Sequence, residues 1–231
     1  MPRDPVRDGE RTELMIKLAV FDLDGTLVDS LTDLALSVNK GLKKAGLPEH
    51  PIEKYNKFVG NGREMLIRRA IGEGCTEELF DSVIGTFDRE YRLHCNDNTA
   101  AYDGCAEMLE RLASGGIYTA VLSNKPDEFV AQILQRLYPC HTFLEAWGQK
   151  PQYKCKPDPE ALHAMLALHG ISPDECVYVG DSDVDVFTAQ NSGVKMAGVS
   201  WGFRGREELL NAGAPFVADT ADELAEYILS L

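Results

Sequence analysis

The chain has 231 residues, 44% of them hydrophobic, and its 23 Lys and Arg stand against 37 Asp and Glu for a net charge of −14. That length and apolar share suffice for a buried core in one large domain or two small ones. The negative balance excludes, on average, a nucleic-acid backbone or an anionic membrane as partner, and an anionic substrate would need a local positive pocket or a metal cation to enter such a field.

Residues 1–14 are charged, carry two prolines and show no apolar period, which predicts a flexible extension and leaves Met1 and Met15 as alternative starts. An apolar run at 16–21 then predicts a strand, and it ends in Asp22-Leu23-Asp24-Gly25-Thr26. Residues i and i+2 of an extended chain share a face, so both carboxylates project into the crevice that an α/β sheet presents beyond its strand ends. Two such charges repel. A bridging divalent cation or a proton on one carboxylate resolves the conflict, and either suits phosphoryl chemistry; a solvated surface turn is the bland alternative.

From residue 31 to about 101 there is no convincing strand, but several helix-length amphipathic stretches are separated by Gly46-Leu47-Pro48, Gly60-Asn61-Gly62 and Gly72-Glu73-Gly74. That pattern predicts a helical insertion. Within it, Gly60 and Gly62 precede a predicted helix and can expose amide donors to an anion, with Asn61 between them. Arg63 offers a fork suited to a carboxylate, although a solvated arginine at a helix start fits the same spacing.

Beyond residue 102, helix-length stretches at 107–113, 128–137, 159–169 and 184–191 alternate with apolar runs at 117–122, 143–147, 176–179, 196–199 and 216–218. This is the pattern of βαβ units on a buried parallel sheet. Ser123 and Asn124 end the run at 117–122, where a hydroxyl and an amide can donate to phosphoryl oxygens or simply cap a turn. Lys156, just before Pro157, is biased away from helix and offers a cation in the approach to the next helix, with Lys154 and Lys125 as neighbouring alternatives. Asp181 and Asp185 follow the run at 176–179, four residues apart, with Asp183 between them. Asp181 as a helix N-cap is the structural alternative.

Four segments, Ala19-Val20-Phe21-Asp22-Leu23-Asp24-Gly25-Thr26, Val121-Leu122-Ser123-Asn124-Lys125, Lys154-Cys155-Lys156-Pro157-Asp158-Pro159 and Val179-Gly180-Asp181-Ser182-Asp183-Val184-Asp185, resemble in order the motifs of the haloacid dehalogenase superfamily. The resemblance runs from about Met15 onward and is closest to the phosphoglycolate phosphatase-like group. It implies an α/β fold: a Rossmann-like doubly wound parallel sheet core over residues 15–31 and 102–231, with an inserted four-helix cap over residues 32–101. By the same resemblance Asp22 is a nucleophile that becomes an aspartyl-phosphate, and Asp24 protonates the leaving oxygen while its carbonyl binds metal. Asp22, Asp24, Asp181 and Asp185 would hold Mg²⁺, Lys156 would balance charge, and Gly25, Thr26, Ser123 and Asn124 would bind phosphate. The dehalogenase branch lacks the second acid, so Asp24 argues for phosphate substrates.

Similar Gly-Asn-Gly loops in the phosphoglycolate phosphatase-like group make Gly60, Asn61 and Arg63 the expected specificity loop, with 2-phosphoglycolate as the expected substrate. Trp201-Gly202-Phe203 also recurs there as loop packing, without an assigned role. A β-phosphoglucomutase-like phosphotransferase, a pyrophosphatase and a nucleotidase are alternatives on the same core; a non-catalytic phosphate-binding regulatory protein is the alternative from another class. Six scattered cysteines without a Cys-x-x-Cys pair predict reduced, mostly buried thiols. The five histidines show no metal-ligand spacing. No apolar stretch is long enough to span a membrane, so the expected setting is cytoplasmic. The expected partner is a small phosphorylated metabolite, with no nucleic acid and no membrane, and the expected state is a monomer, or a homodimer at most.

Overall fold

The computed structural model describes residues 15–231; the extension expected at 1–14 lies outside them. In chain order the elements are β1 (Leu18–Phe21), β2 (Val28–Asp29), α1 (Leu31–Lys44), a 3₁₀ turn at Ile52–Lys57, α2 (Gly62–Ile71), α3 (Glu77–His94) and β3 (Ala100–Ala101). They continue as α4 (Cys105–Ser114), β4 (Tyr118–Pro126), α5 (Asp127–Leu137), β5 (Ala146–Gln149), α6 (Glu160–His169) and a short 3₁₀ turn at Pro173–Glu175. The last are β6 (Cys176–Gly180), α7 (Asp183–Ser192), β7 (Lys195–Val199), α8 (Gly205–Ala212), β8 (Val217–Ala218) and α9 (Ala221–Leu229).

Six strands form one parallel sheet in the order β5-β4-β1-β6-β7-β8. Its central strand β1 is apolar throughout because both faces are covered. Along β1, Ala19 and Phe21 pack with α4, α5 and α9, whereas Leu18 and Val20 pack with α6, α7 and α8. The same alternation divides β6, with Val177 and Val179 on one side and Cys176 and Tyr178 on the other. From β1 the chain winds outward in both directions, so the strand order reverses beside β1, where such sheets bind ligands.

The helical elements between β2 and β3 have their own hydrophobic cluster, built from residues such as Val38 and Leu42 of α1, Ile67 of α2 and Val83 and Phe87 of α3. They amount to three α-helices and one 3₁₀ turn, where four helices were expected: the segment Ile52–Lys57 forms only a 3₁₀ turn. The expectation of no strand from residue 31 to about 101 needs one correction: β3 pairs antiparallel with β2. Each strand has two residues, too short to leave a periodic signal. This ribbon ties the chain's exit toward α1 to its return. Asp33, near the start of α1, reinforces it by accepting bonds from the backbone and side chains of Asn98 and Thr99.

The fifth strand begins at Ala146 rather than 143, because residues 143–145 are irregular chain leading into it. All six cysteines are free, three of them buried. Among the described residues no helix is long and apolar enough to cross a membrane.

Candidate active site

Every parallel strand ends at the same edge, so residues following β1, β4, β6 and β7 converge there. Asp22 follows β1, Ser123 to Lys125 lie at the end of β4, Asp181 follows β6, and residues 200–204 follow β7. One oxygen from each of Asp22, Asp181 and Asp185 lies within 4.8 Å of the others. All three carboxylates are buried, Asp22 at 8% exposure and Asp185 at 0%.

Lys156 stands among them. Its Nζ is 3.0 Å from Asp22 Oδ1 and 2.8 Å from Asp185 Oδ1, and it donates to Tyr178 Oη at 2.8 Å. Tyr178 in turn donates to the Leu122 carbonyl at 2.9 Å. Burial alone would lower the lysine's pKa, but Asp185 and Asp22 overcome it and hold the ammonium well above its ordinary range. Burial pushes the Asp22 carboxyl up to about 6, against the pull of Lys156 and with help from Asp185 and Asp24. Asp181 is driven well above the ordinary carboxylate range, first by burial and then by Asp185 and Asp22. One ammonium is therefore too little positive charge for three carboxylates, and an oxygen-seeking divalent cation fits the deficit.

The local sequence explains how these groups come so close. Gly25 has φ +85°, and a Cβ there would stand 2.5 Å from Asp181 Oδ2. Only glycine meets both conditions. Thr26 Oγ1 donates to Asp181 Oδ1 at 3.4 Å, and Phe203 N donates to Asp181 Oδ2 at 2.7 Å. Gly202 faces Asp181 and the Gly25 carbonyl with no room for a side chain, and Trp201 Nε1 donates to the Thr26 carbonyl at 3.0 Å. The Trp-Gly-Phe segment is thus the buttress of Asp181. At the start of α7, the capping partner is Ser182 rather than Asp181. Ser182 N and Oγ both donate to Asp185 Oδ2, at 3.1 and 2.7 Å, so Asp185 closes a capping box with one oxygen and meets Lys156 with the other.

Asp24 faces a second buried lysine. Lys125 Nζ lies 2.8 and 3.1 Å from its two oxygens and 2.6 Å from Tyr91 Oη, and Ser30 Oγ donates to Asp24 Oδ1 at 2.5 Å. Burial would lower the Lys125 pKa; Asp24 and then Tyr91 raise it instead. Lys154, by contrast, is 80% exposed beside Asp158.

These groups border a cavity of about 50 Å³ between the strand ends and the helices, whose walls include Asp22, Asp24, Ser123, Asn124, Asp181, Gly60 and Arg63. Lys156, Asp185, Gly25, Thr26 and Asn61 stand behind that wall rather than in it. The Asn124 amide is committed to the backbone: it donates to the carbonyls of Gly60 and Lys156 at 3.0 and 3.1 Å and accepts from Lys156 N at 2.8 Å. Ser123 keeps a hydroxyl proton to donate, since its Oγ only accepts, from Lys125 N at 3.3 Å. Asn61 Oδ1 receives Arg69 Nη2 at 2.7 Å, and Arg63 Nη1 pairs with Asp88 Oδ2 at 2.7 Å.

Three contributors escaped the sequence reading. Lys125 was visible only as an alternative to Lys156, although it shares a strand face with Ser123. Tyr178, in an otherwise apolar strand, carries a hydroxyl that requires a buried partner. Arg204 bridges to the helical side by donating to the carbonyls of Lys57 and Val59 at 3.4 and 2.9 Å; no local pattern marks it.

Residues 19–199 match the family model described as haloacid dehalogenase-like hydrolase. This chain belongs to that family. A phosphoglycolate phosphatase of Vibrio parahaemolyticus is 33% identical over 94% of this chain and 98% of its own length. Phosphoglycolate phosphatase 1 of Pseudomonas aeruginosa is 33% identical over 92% of this chain and 82% of its own. Among solved structures, a predicted phosphoglycolate phosphatase from Haemophilus somnus superposes with TM-score 0.86 at 31% identity, over 92% of this chain and 97% of that one. The expected class of enzyme, a phosphatase of the haloacid dehalogenase-like hydrolases, agrees with these relatives.

Proposed function

We propose that the chain is a Mg²⁺-dependent phosphomonoester hydrolase that works through an aspartyl-phosphate on Asp22, with 2-phosphoglycolate as its substrate. The observation that carries this reading is the cluster of Asp22, Asp181 and Asp185 around Lys156 at the strand ends. Asp22, Asp181, Asp185 and the Asp24 carbonyl would hold the metal. When bound, Mg²⁺ supplies charge neutralisation that lets an anionic nucleophile meet an anionic phosphate.

In the first step an Asp22 oxygen forms a bond to phosphorus while the bond to the leaving oxygen breaks, its electron pair staying on that oxygen. Asp24 gives that oxygen its proton. A water then attacks phosphorus and yields a proton to Asp24, and the bond to Asp22 breaks, restoring the carboxylate. Lys156 orients Asp22 and offsets the charge of the transferring group, while Ser123 donates to a phosphoryl oxygen. Asn124 acts one step back, by fixing the backbone of Lys156 and Gly60. Gly25 and Thr26 shape the turn that carries Asp24 and support Asp181.

Residues 32–101 serve in this reading as a cap over a core of residues 15–31 and 102–231, with the β2-β3 ribbon as the joint between them. A closed cap would exclude water during the first step. The substrate is argued from size and charge. A site for one water takes roughly 10–15 Å³, so a cavity of about 50 Å³ favours a short phosphate ester over a nucleotide. Arg63 lies in the cavity wall, where it could read a carboxylate, and phosphoglycolate phosphatases are the curated relatives. The test is Mg²⁺-dependent phosphate release from 2-phosphoglycolate beside sugar phosphates, nucleotides and pyrophosphate, with Asp22→Asn as control. Preference for 2-phosphoglycolate, abolished by the substitution, is expected; equal release from the mutant protein overturns the mechanism.

A further inference from the structure

Lys125 has no part in the chemistry above, yet it is a fully formed piece of the site. Its side chain is 2% exposed, and a lysine ammonium has three N–H donors. Two meet the oxygens of Asp24, at 2.8 and 3.1 Å, and the third meets Tyr91 Oη at 2.6 Å. The ammonium therefore has one orientation that satisfies it. Tyr91 is itself immobilised: it is 1% exposed, stacked on Phe87 at 5.3 Å and edge-on to Phe129 at 5.0 Å.

The two contacts come from opposite sides of the cavity. Lys125 ends β4 of the sheet, whereas Tyr91 belongs to α3 of the helical layer. We propose that Lys125 is a positioning residue for Asp24, and that Tyr91 makes its hold conditional on the helical layer lying against the strand ends. Ser30 and Lys125 both bind Asp24 Oδ1, which leaves Oδ2, with the single longer contact, as the oxygen with capacity to exchange a proton. With the helices lifted, the third donor of Lys125 loses Tyr91, the ammonium is free to turn, and Asp24 loses its fixed partner. Proton delivery is thereby tied to closure.

The inference rests on the reading of Asp24 as the proton donor to the leaving oxygen. In that step the phosphorus–oxygen bond breaks, the electron pair remains on the leaving oxygen, and the Asp24 proton joins it. An aliphatic alcohol needs that proton, whereas a nitrophenolate leaves without it. In kcat/KM, which covers the steps up to release of the leaving group, a defect in positioning Asp24 consequently depends on the leaving group, and a general structural defect does not; the later attack of water, in which Asp24 takes a proton, is common to both substrates.

The experiment compares kcat and KM for 2-phosphoglycolate and p-nitrophenyl phosphate in the full chain with Mg²⁺, for the wild type, Lys125→Met, Tyr91→Phe and the double variant. Lys125→Met should lower kcat/KM for 2-phosphoglycolate roughly 50-fold or more and for p-nitrophenyl phosphate less than about 5-fold. Tyr91→Phe, which keeps the ring stack, should lower the first roughly 5-fold and leave the second unchanged. The double variant should be no slower than Lys125→Met alone. Equal losses of kcat/KM on both substrates, no loss on either, or additive effects in the double variant would overturn the proposal. If Lys125→Met fails to fold, Tyr91→Phe decides by the same ratio. Wild-type turnover that disappears in Asp22→Asn checks the underlying reading separately, and absence of wild-type turnover overturns both.

Discussion

Where the cavity meets the strand ends, charge is sealed in; where it meets α2 and α3, charge stands in water. Lys156 and Asp185 are 2% and 0% exposed in their side chains, whereas Arg63 and Asp88 are 40% and 35% exposed. Both pairs are short, at 2.8 and 2.7 Å. Distance alone therefore says little about what either pair contributes. Solvent screens the Arg63 pair to about 1 kcal/mol or less, while the buried groups have no such relief and must be matched by one another. The two sides should differ accordingly in how they respond to substitution.

The largest effect is expected at Asp22. Asp22→Asn keeps the shape and an acceptor for the Leu23 amide but removes the carboxylate proposed as nucleophile, so phosphate release should fall by more than about 10³-fold with the fold intact by circular dichroism. Lys156→Ala comes next and should harm both activity and stability. It leaves Asp185 buried without its cation, a loss of about 3–5 kcal/mol by denaturant unfolding, and should slow turnover about 10²-fold. Lys154→Ala, at an exposed side chain, should change stability by no more than about 0.5 kcal/mol and leave turnover alone. Similar effects of the two lysine substitutions would erase the contrast between sealed and exposed charge.

That contrast also governs what the sequence made legible. Asp22 and Asp181 could be found because each directly follows an apolar strand, with Asp24 and Asp185 close behind them in the chain, and a run buried on both faces is a strong local signal. The parallel sheet followed from the same runs. What stayed hidden depends on pairs distant in sequence: Lys125 with Tyr91, Lys156 with Tyr178, and Arg204 with the carbonyls of Lys57 and Val59. Nothing near Arg204 in the chain announces residue 59. Asn124 was legible as a residue of the site, yet its donors go to backbone carbonyls, which only the folded arrangement of Gly60 and Lys156 reveals. The β2-β3 ribbon escaped because two residues per strand carry no period.

Metal addition sharpens the comparison further, since only the sealed side holds excess carboxylate. Burial raises Asp22 to about 6 in the metal-free fold, above an unfolded value of about 3.9. The folded state then binds this proton more tightly than the unfolded state does. Its contribution to stability is present below the unfolded value and is lost as pH rises through about 6. A cation replaces the proton, so Mg²⁺ should stabilise more at pH 7.5 than at pH 5. At 100 times its Kd, bound Mg²⁺ adds about 2.7 kcal/mol. The melting temperature should therefore rise by about 5 °C or more at pH 7.5 and by less than half as much at pH 5. A Mg²⁺ increment that is the same at both pH values would remove the carboxylate cluster as its cause.

The smallest effect is expected from the exposed side, at Arg63. Its Nη1 is already bound to Asp88, and with 40% of the side chain in solvent the ion pair adds little to stability. Arg63→Ala should therefore melt within about 2 °C of the wild type. Arg63 lies in the cavity wall, so the loss should fall on a substrate whose anionic end lies there. KM for 2-phosphoglycolate should rise roughly 5-fold, with kcat nearly unchanged and p-nitrophenyl phosphate unaffected. Asp88→Asn offers the converse: it frees Nη1 without removing the fork, and KM for 2-phosphoglycolate should hold or fall. If Arg63→Ala weakens both substrates equally, the arginine is only a prop for α3, and the carboxylate must be read by another group in the cavity wall.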